Sequence, residues 1–230
     1  MEKGACPFTL TPSGRNVLHQ AAESGSSDVL TYLLHHRYHE RGVDINLGDI
    51  WQETPLHIAA AKAPVSARLL LSHRASLDVV QEDRQGPLHY ASRLAGSERL
   101  ASVNILSHPY GDHINAQDDI GRTPMMHMLD SPRCVELLLD RAANVHIRDI
   151  DERNILHLAC IEGRAQILEV FLNNRPDQAR ILAVQQDVLG DTPLYASFRH
   201  RSVECARILL ARTTIPPFKD VAARCAMRTF

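Results

Sequence analysis

Thr54-Pro55-Leu56-His57-Ile58-Ala59 decides the reading of this chain, because the hexapeptide returns five more times. Degenerate copies stand at Asn16-Val17-Leu18-His19-Gln20-Ala21, Gly86-Pro87-Leu88-His89-Tyr90-Ala91 and Thr123-Pro124-Met125-Met126-His127-Met128. Two more follow at Asn154-Ile155-Leu156-His157-Leu158-Ala159 and Thr192-Pro193-Leu194-Tyr195-Ala196-Ser197. Their first residues are separated by 38, 32, 37, 31 and 38 positions. Self-similarity at such a spacing means an array of one supersecondary unit, which no residue-by-residue assignment would reveal.

The residue types predict what the unit is. Thr54, Thr123, Thr192, Asn16 and Asn154 are good helix N-caps. Pro55, Pro87, Pro124 and Pro193 follow at the first helical position, where a missing N–H costs nothing. Leu56 and Ala59 share a helix face, and the small Ala59, Ala91 and Ala159 permit close helix approach. About a dozen residues on, a second apolar helix is predicted in every unit, as in Val65–Leu71, Val135–Leu139, Ile167–Leu172 and Val203–Leu210. These runs are too apolar to be exposed and must pack between neighbouring units.

This pattern resembles the ankyrin repeat family, whose signature is T-P-L-H-x-A within about 33 residues. The resemblance covers residues 13–213. It implies an all-α solenoid of stacked helix-turn-helix units carrying β-turn fingers. Residues 1–12 are expected to be a lead-in, and 214–230 a C-terminal cap with a helix over Lys219–Arg228. Departures from the family pattern are informative. Arg74 and Ala142 replace the glycine that normally takes the left-handed turn after the second helix. The fourth unit has Met126 for His and Met128 for Ala, with Pro132 shortening its inter-helix turn, so it is expected to be the softest. Tyr38–Arg41 and Asn173–Arg180 are expected to extend the ends of second helices.

Composition narrows the function. A formal net charge of −2 provides no bulk attraction for nucleic acid or anionic membrane. A local basic strip, Arg199, His200, Arg201, Arg207 and Arg212, reads as a solvated helix face. No apolar run approaches the roughly 18 residues of a membrane span. Met1–Pro7 lacks the basic-then-apolar order of a signal peptide, and Glu2 does not suit N-myristoylation. Five widely spaced cysteines without a C-x-x-C pair argue against a disulfide framework or zinc site and for a reducing compartment, cytoplasm or nucleus. No cofactor motif is present, so none is expected.

Thirteen histidines require a metal or catalytic reading to be weighed. The resemblance makes His19, His57, His89 and His157 structural, bonding backbone and cap groups of the tight turns. His35 and His39 are spaced i, i+4, but a third ligand is missing nearby in sequence. Metal binding is therefore not expected.

The resemblance implies that partners bind a concave face made of fingertips and first-helix positions. Carried over position by position, the contact set is Trp51, Glu53, Ile58, Lys62, Asp83, Tyr90, Arg93, Arg122, His127, Asp130, Arg153 and Glu162. Trp51, the only tryptophan, suits an interface anchor on its finger, or else packs on a neighbouring finger. Tyr90, Arg93, Arg122 and Arg153 extend an aromatic and basic strip suited to an extended peptide with acidic or apolar side chains. The reading is a non-catalytic, monomeric protein-interaction module. An alternative is an enzyme or small-ligand binder in the same groove, with Tyr90, His127 and Asp130 for acid–base chemistry and Arg93 as an anion clamp. A third is a structural or self-associating segment of a longer chain.

Overall fold

Each signature hexapeptide opens a short helix for the reasons its residues supply. In the computed structural model, which describes residues 10–36, 44–107 and 112–212, Asn16 caps the first of these helices. Its Oδ1 accepts the Leu18 and His19 N–H groups at 3.0 and 3.2 Å. Asn154 does the same for Leu156 and His157, and the Thr192 hydroxyl accepts from the Tyr195 N–H. Prolines 55, 87, 124 and 193 sit in the first turn of their helices.

The chain groups into two units, Met1–Ala143 and Asn144–Phe230. In the first, α1 (Val17–Ser24) pairs with α2 (Ser27–His36), and α3 (Pro55–Lys62) with α4 (Pro64–Ser72). Next come α5 (Pro87–Tyr90), continued by a 3-10 turn over Ala91–Arg93, and α6 (Gly96–Leu106). The fourth repeat opens with a 3-10 turn, Pro124–His127, followed by α7 (Pro132–Asp140). In the second unit, α8 (Ile155–Ile161) is followed by α9 (Ala165–Asn174) and α10 (Pro176–Ala183). There α11 (Pro193–Arg199) packs on α8, and α12 (Val203–Arg212) on α9. Among the described residues no β-strand forms, and no helix is long and apolar enough to cross a membrane.

First helices pack on first helices and second on second, as α1 does on α3 and α4 on α6. The small residues make this possible: Ala22, Ala59, Ala60, Ala91 and Ala159 are fully buried. The consecutive leucines of the second helices fill the space between repeats, with Leu30, Leu34, Leu70 and Leu138 fully buried in the first unit. Ile167, Leu168 and Phe171 play that part in the second. No repeat could bury these side chains alone, so the core exists only between repeats.

Turn chemistry follows the expected departures. Gly25 and Gly163 take left-handed backbones after α1 and α8, with φ of 67° and 69°. Arg74 and Ala142 adopt the same conformation with a Cβ, at φ of 67° and 60°. Each such residue costs on the order of 1–2 kcal/mol.

One expectation is corrected. Asn173–Arg180 does not prolong a second helix: α9 stops at Asn174, and Pro176 opens the separate α10. Proline disfavours helical backbone in the residue before it, and Arg175 leaves the helix with ψ of 56°. Burial of Ala179, Leu182 and Ala183 then holds α10 in place. Tyr38–Arg41, His39 and the Lys219–Arg228 segment lie outside the described residues, as does most of the 1–12 lead-in.

Candidate partner-binding face

A buried polar residue five positions before the second to sixth signatures folds the finger that precedes each. Asp49 is 2% exposed, and its Oδ1 accepts the N–H groups of Trp51 and Glu53 at 2.9 and 3.0 Å. Backbone bonds from Asp49 N–H to the Glu53 carbonyl and from Gln52 N–H to the Asp49 carbonyl close the turn. Asp149 and Asp187 repeat the arrangement, Asp118 accepts from the Arg122 N–H, and Gln81 substitutes with its side-chain amide oxygen. Neighbouring fingers are also tied by backbone bonds, Glu82 N–H to the Trp51 carbonyl and Asp119 N–H to that of Asp83. These aspartates were not anticipated, although Asp49, Asp118, Asp149 and Asp187 recur at one offset from Thr54, Thr123, Asn154 and Thr192.

The signature histidines lock each first helix to the next finger. Their Nε2 atoms lie 3.0, 3.1, 3.1 and 2.9 Å from the carbonyl oxygens of Glu53, Gln85, Arg122 and Asp191. Their Nδ1 atoms accept the cap-residue N–H of the same repeat, from Asn16, Thr54, Gly86 and Asn154. The four are structural, as the resemblance implied. In the fourth repeat Met126 breaks the pattern, and His127 bonds the buried Asp118 carboxylate at 2.7 Å instead.

Beside the fingers of the first unit runs a polar network. Arg15 reaches three carboxylates: Asp49 at 2.9 Å, and Glu23 and Glu53 at 3.0 Å each. Lys62 pairs with Glu23 at 2.8 Å. Tyr90 donates its hydroxyl proton to Glu53 at 2.6 Å, and Arg93 stacks on the Tyr90 ring at 3.6 Å, with a nitrogen 4.0 Å from Glu53. Three cations therefore meet three carboxylates. Burial, then the bond to Glu53, pushes the Tyr90 hydroxyl pKa up, so it remains a donor.

The residues expected to make contacts divide accordingly. Trp51 is 48% exposed beside Ile50 at 56%, with the Arg15 guanidinium 5.9 Å from its ring centre. Lys62, Asp83 and Arg93 are exposed, Asp130 is exposed but held by Arg99, and Glu53 and Arg122 are partly covered. Ile58 and Tyr90 are corrections, being 5% and 3% exposed. Ile58 is packed into the core rather than presented to a groove, and the Tyr90 ring lies beneath Arg93. The same signature position is buried in Leu158 and Ala196 and exposed in Gln20. Arg153 and Glu162 belong to the second unit, where Arg153 pairs with Asp151 at 2.7 Å and Glu162 lies 3.5 Å from Arg164. Exposed apolar fingertips recur there as Ile150, Val188 and Leu189.

The acid–base set of the alternative reading is not assembled. Tyr90 is engaged with Glu53, His127 with Asp118 and Asp130 with Arg99, three separate pairs. Cys134, Cys160 and Cys205 are buried free thiols, and burial pushes the Cys134 pKa up, away from nucleophilic thiolate.

Comparison with known proteins agrees with this architecture. The family model for ankyrin repeats matches three times, over residues 18–118, 88–179 and 125–220, and the chain belongs to the ankyrin repeat family. Chicken Inversin is 35% identical over 96 residues, 41% of this chain and 8% of that protein. The ankyrin repeat domain-containing protein SAT10 of Stachybotrys chartarum is 27% identical over 209 residues, 88% of this chain and 10% of its own length. Human transient receptor potential cation channel subfamily A member 1 is 27% identical, covering 86% of this chain and 21% of the channel subunit. The chain thus spans a small part of these relatives. Among solved structures, the ankyrin repeat domain of Bcl-3 superposes with a TM-score of 0.71 at 24% identity, covering 89% of this chain and 86% of that domain.

Proposed function

We propose that this chain is a non-catalytic protein-interaction module that captures a protein or peptide along the finger side of its first unit. Ankyrin repeats are a general protein-interaction module, which supports the coarse reading. The finer reading rests on one observation. Ile50 and Trp51 are half exposed at adjacent positions on a finger folded by the buried Asp49. Exposed aromatic and branched side chains on a preorganised turn lose little entropy on binding, and tryptophan is a frequent hot-spot residue.

The neutral network around Glu53 refines the partner. Arg15, Lys62 and Arg93 already have carboxylates within 4.0 Å, so an acidic peptide would compete with internal pairs. An apolar segment seated on Ile50 and Trp51, with polar contacts to Asp83 and Arg93 at the rim, is favoured instead. The buried free thiols suit work in a reducing compartment.

Affinity capture with wild type and with a Trp51→Ala/Arg93→Ala variant of unchanged circular dichroism tests the reading. A protein recovered by wild type and lost by the variant is the expected result. Equal recovery by both would remove the site from this face.

A further inference from the structure

Second helices of adjacent repeats leave a cavity of about 680 Å³ in the first unit, against α4, α6 and the residue that follows α7. Leu71, Leu77 and Ile105 supply its apolar walls, and Arg68, Ser72, Asn104 and Arg141 its polar ones. Small-molecule sites are commonly roughly 300–1,000 Å³, with apolar walls and a few polar groups. Among the described residues no carboxylate lines it. Asp78 and Asp140, next in sequence to Leu77 and Arg141, are exposed and stand outside the lining.

Both cations of this cavity are left without a counter-charge. Arg141 is partly buried and held by two neutral acceptors. Its Nη1 donates to the Ser107 carbonyl at 2.7 Å and its Nη2 to Asn104 Oδ1 at 2.8 Å. A guanidinium carries five N–H donors, so three remain. Arginine only donates, so Asn104 turns its oxygen toward it, which leaves both Nδ2 hydrogens without a partner among the described residues. Arg68 is exposed and, among the described residues, has neither a hydrogen-bond nor an ion-pair partner. The Ser72 hydroxyl already donates to the Leu69 carbonyl at 2.7 Å. The finger side differs in kind, since Arg15, Lys62 and Arg93 there each face a carboxylate. Two unneutralised guanidinium groups beside an apolar wall are complementary to an anion with a hydrocarbon body.

We infer that this cavity binds an amphiphilic anion, a carboxylate or phosphate head on a hydrocarbon body, with Arg68 and Arg141 donating to the head. The hydrocarbon lies against Leu71, Leu77 and Ile105. A cationic amphiphile is repelled by both arginines, and a neutral alcohol gains no charge-assisted bond. None of the residues proposed to contact a protein partner lines this cavity, so either reading can fail without the other.

Octanoate, octyl phosphate, octanol and octylamine, titrated separately below their micelle concentrations into the nitrogen-15-labelled full chain, test the inference. The anions are expected to shift the amides of Leu71, Asn104 and Arg141 saturably, octanol to bind about tenfold more weakly and octylamine not at all. The tighter of the two anions identifies the head. Arg68→Gln should weaken anion binding about threefold and Arg68→Glu about tenfold. Both variants should melt like wild type, because Arg68 has no partner to lose. Equal binding of anion and octylamine, unchanged affinity in Arg68→Glu, or no saturable shift with either anion at millimolar concentration would overturn the site.

Discussion

A proton on Nε2 of His57 and His89 is dictated by their neighbours. The next finger offers a carbonyl, which can only accept, and the histidine's own cap offers an N–H, which can only donate. Protonating Nδ1 would set two donors against each other inside the core. Burial is the largest cause of the lowered pKa values, which fall to about 4 for His57 and His89. His19 and His157 are lowered in the same sense. The unfolded chain keeps histidine near its ordinary value of about 6.5, so it takes up protons first as pH falls. Stability from these groups is complete above about pH 6.5 and is lost as pH drops toward 4, by about 3 kcal/mol each for His57 and His89. Urea midpoints measured between pH 7 and 4.5 should fall steadily, with a smaller fall in His57→Gln. A flat profile would show that the rings titrate equally in both states.

The finger is the element on which the proposed contacts depend. Asp49 satisfies the Trp51 and Glu53 N–H groups and also anchors Arg15. Replacing it with alanine removes the acceptor for all three donors at once. Asp49→Ala should cost about 2–3 kcal/mol, since buried donors left unpaired carry their full desolvation penalty. Trp51 is the sole tryptophan, so its fluorescence anisotropy reads the finger directly. A lower anisotropy in the folded variant is expected, and an unchanged value would mean the backbone bonds alone hold the turn. The fourth repeat illustrates the opposite case. Losing the signature His and Ala leaves a 3-10 turn, Pro124–His127, where other repeats have an α-helix.

At the scale of the molecule, stability is a sum over interfaces between repeats. Phe171 is fully buried in the second unit and is the largest such side chain there. Phe171→Ala should cost about 3–5 kcal/mol through lost transfer energy and the cavity left behind. Chemical denaturation followed by circular dichroism measures it, and a loss below 1 kcal/mol would mean that α9 and α12 close over the gap. The first unit has the same design with aliphatic residues, Leu34, Leu70 and Leu138, at its repeat interfaces.

Local chemistry wrote most of the architecture into the chain. Cap and proline recur in order and act within four residues of themselves, whereas the leucine and histidine of the signature reach the next repeat. The helix pairs and the left-handed backbones of Arg74 and Ala142 follow from such short-range rules, whereas the structural role of the four histidines was implied by the family resemblance. The finger aspartates recur at one offset from the next cap, although the signature pattern does not include them. The separate helix after Pro176 required weighing one proline against a run of helix formers.

What the chain alone did not determine is which groups meet across repeats. Arg15 and Glu53 are 38 residues apart, and Glu53 and Tyr90 are 37 apart, yet each pair is in hydrogen-bond contact. Exposure at the position after the signature histidine and the neutrality of the charged face also depend on the neighbouring repeat. The physical reason is range. Backbone propensities and caps are settled by residues close in sequence, whereas burial, ion pairing and cavity shape are settled by whatever the fold brings within a few ångströms.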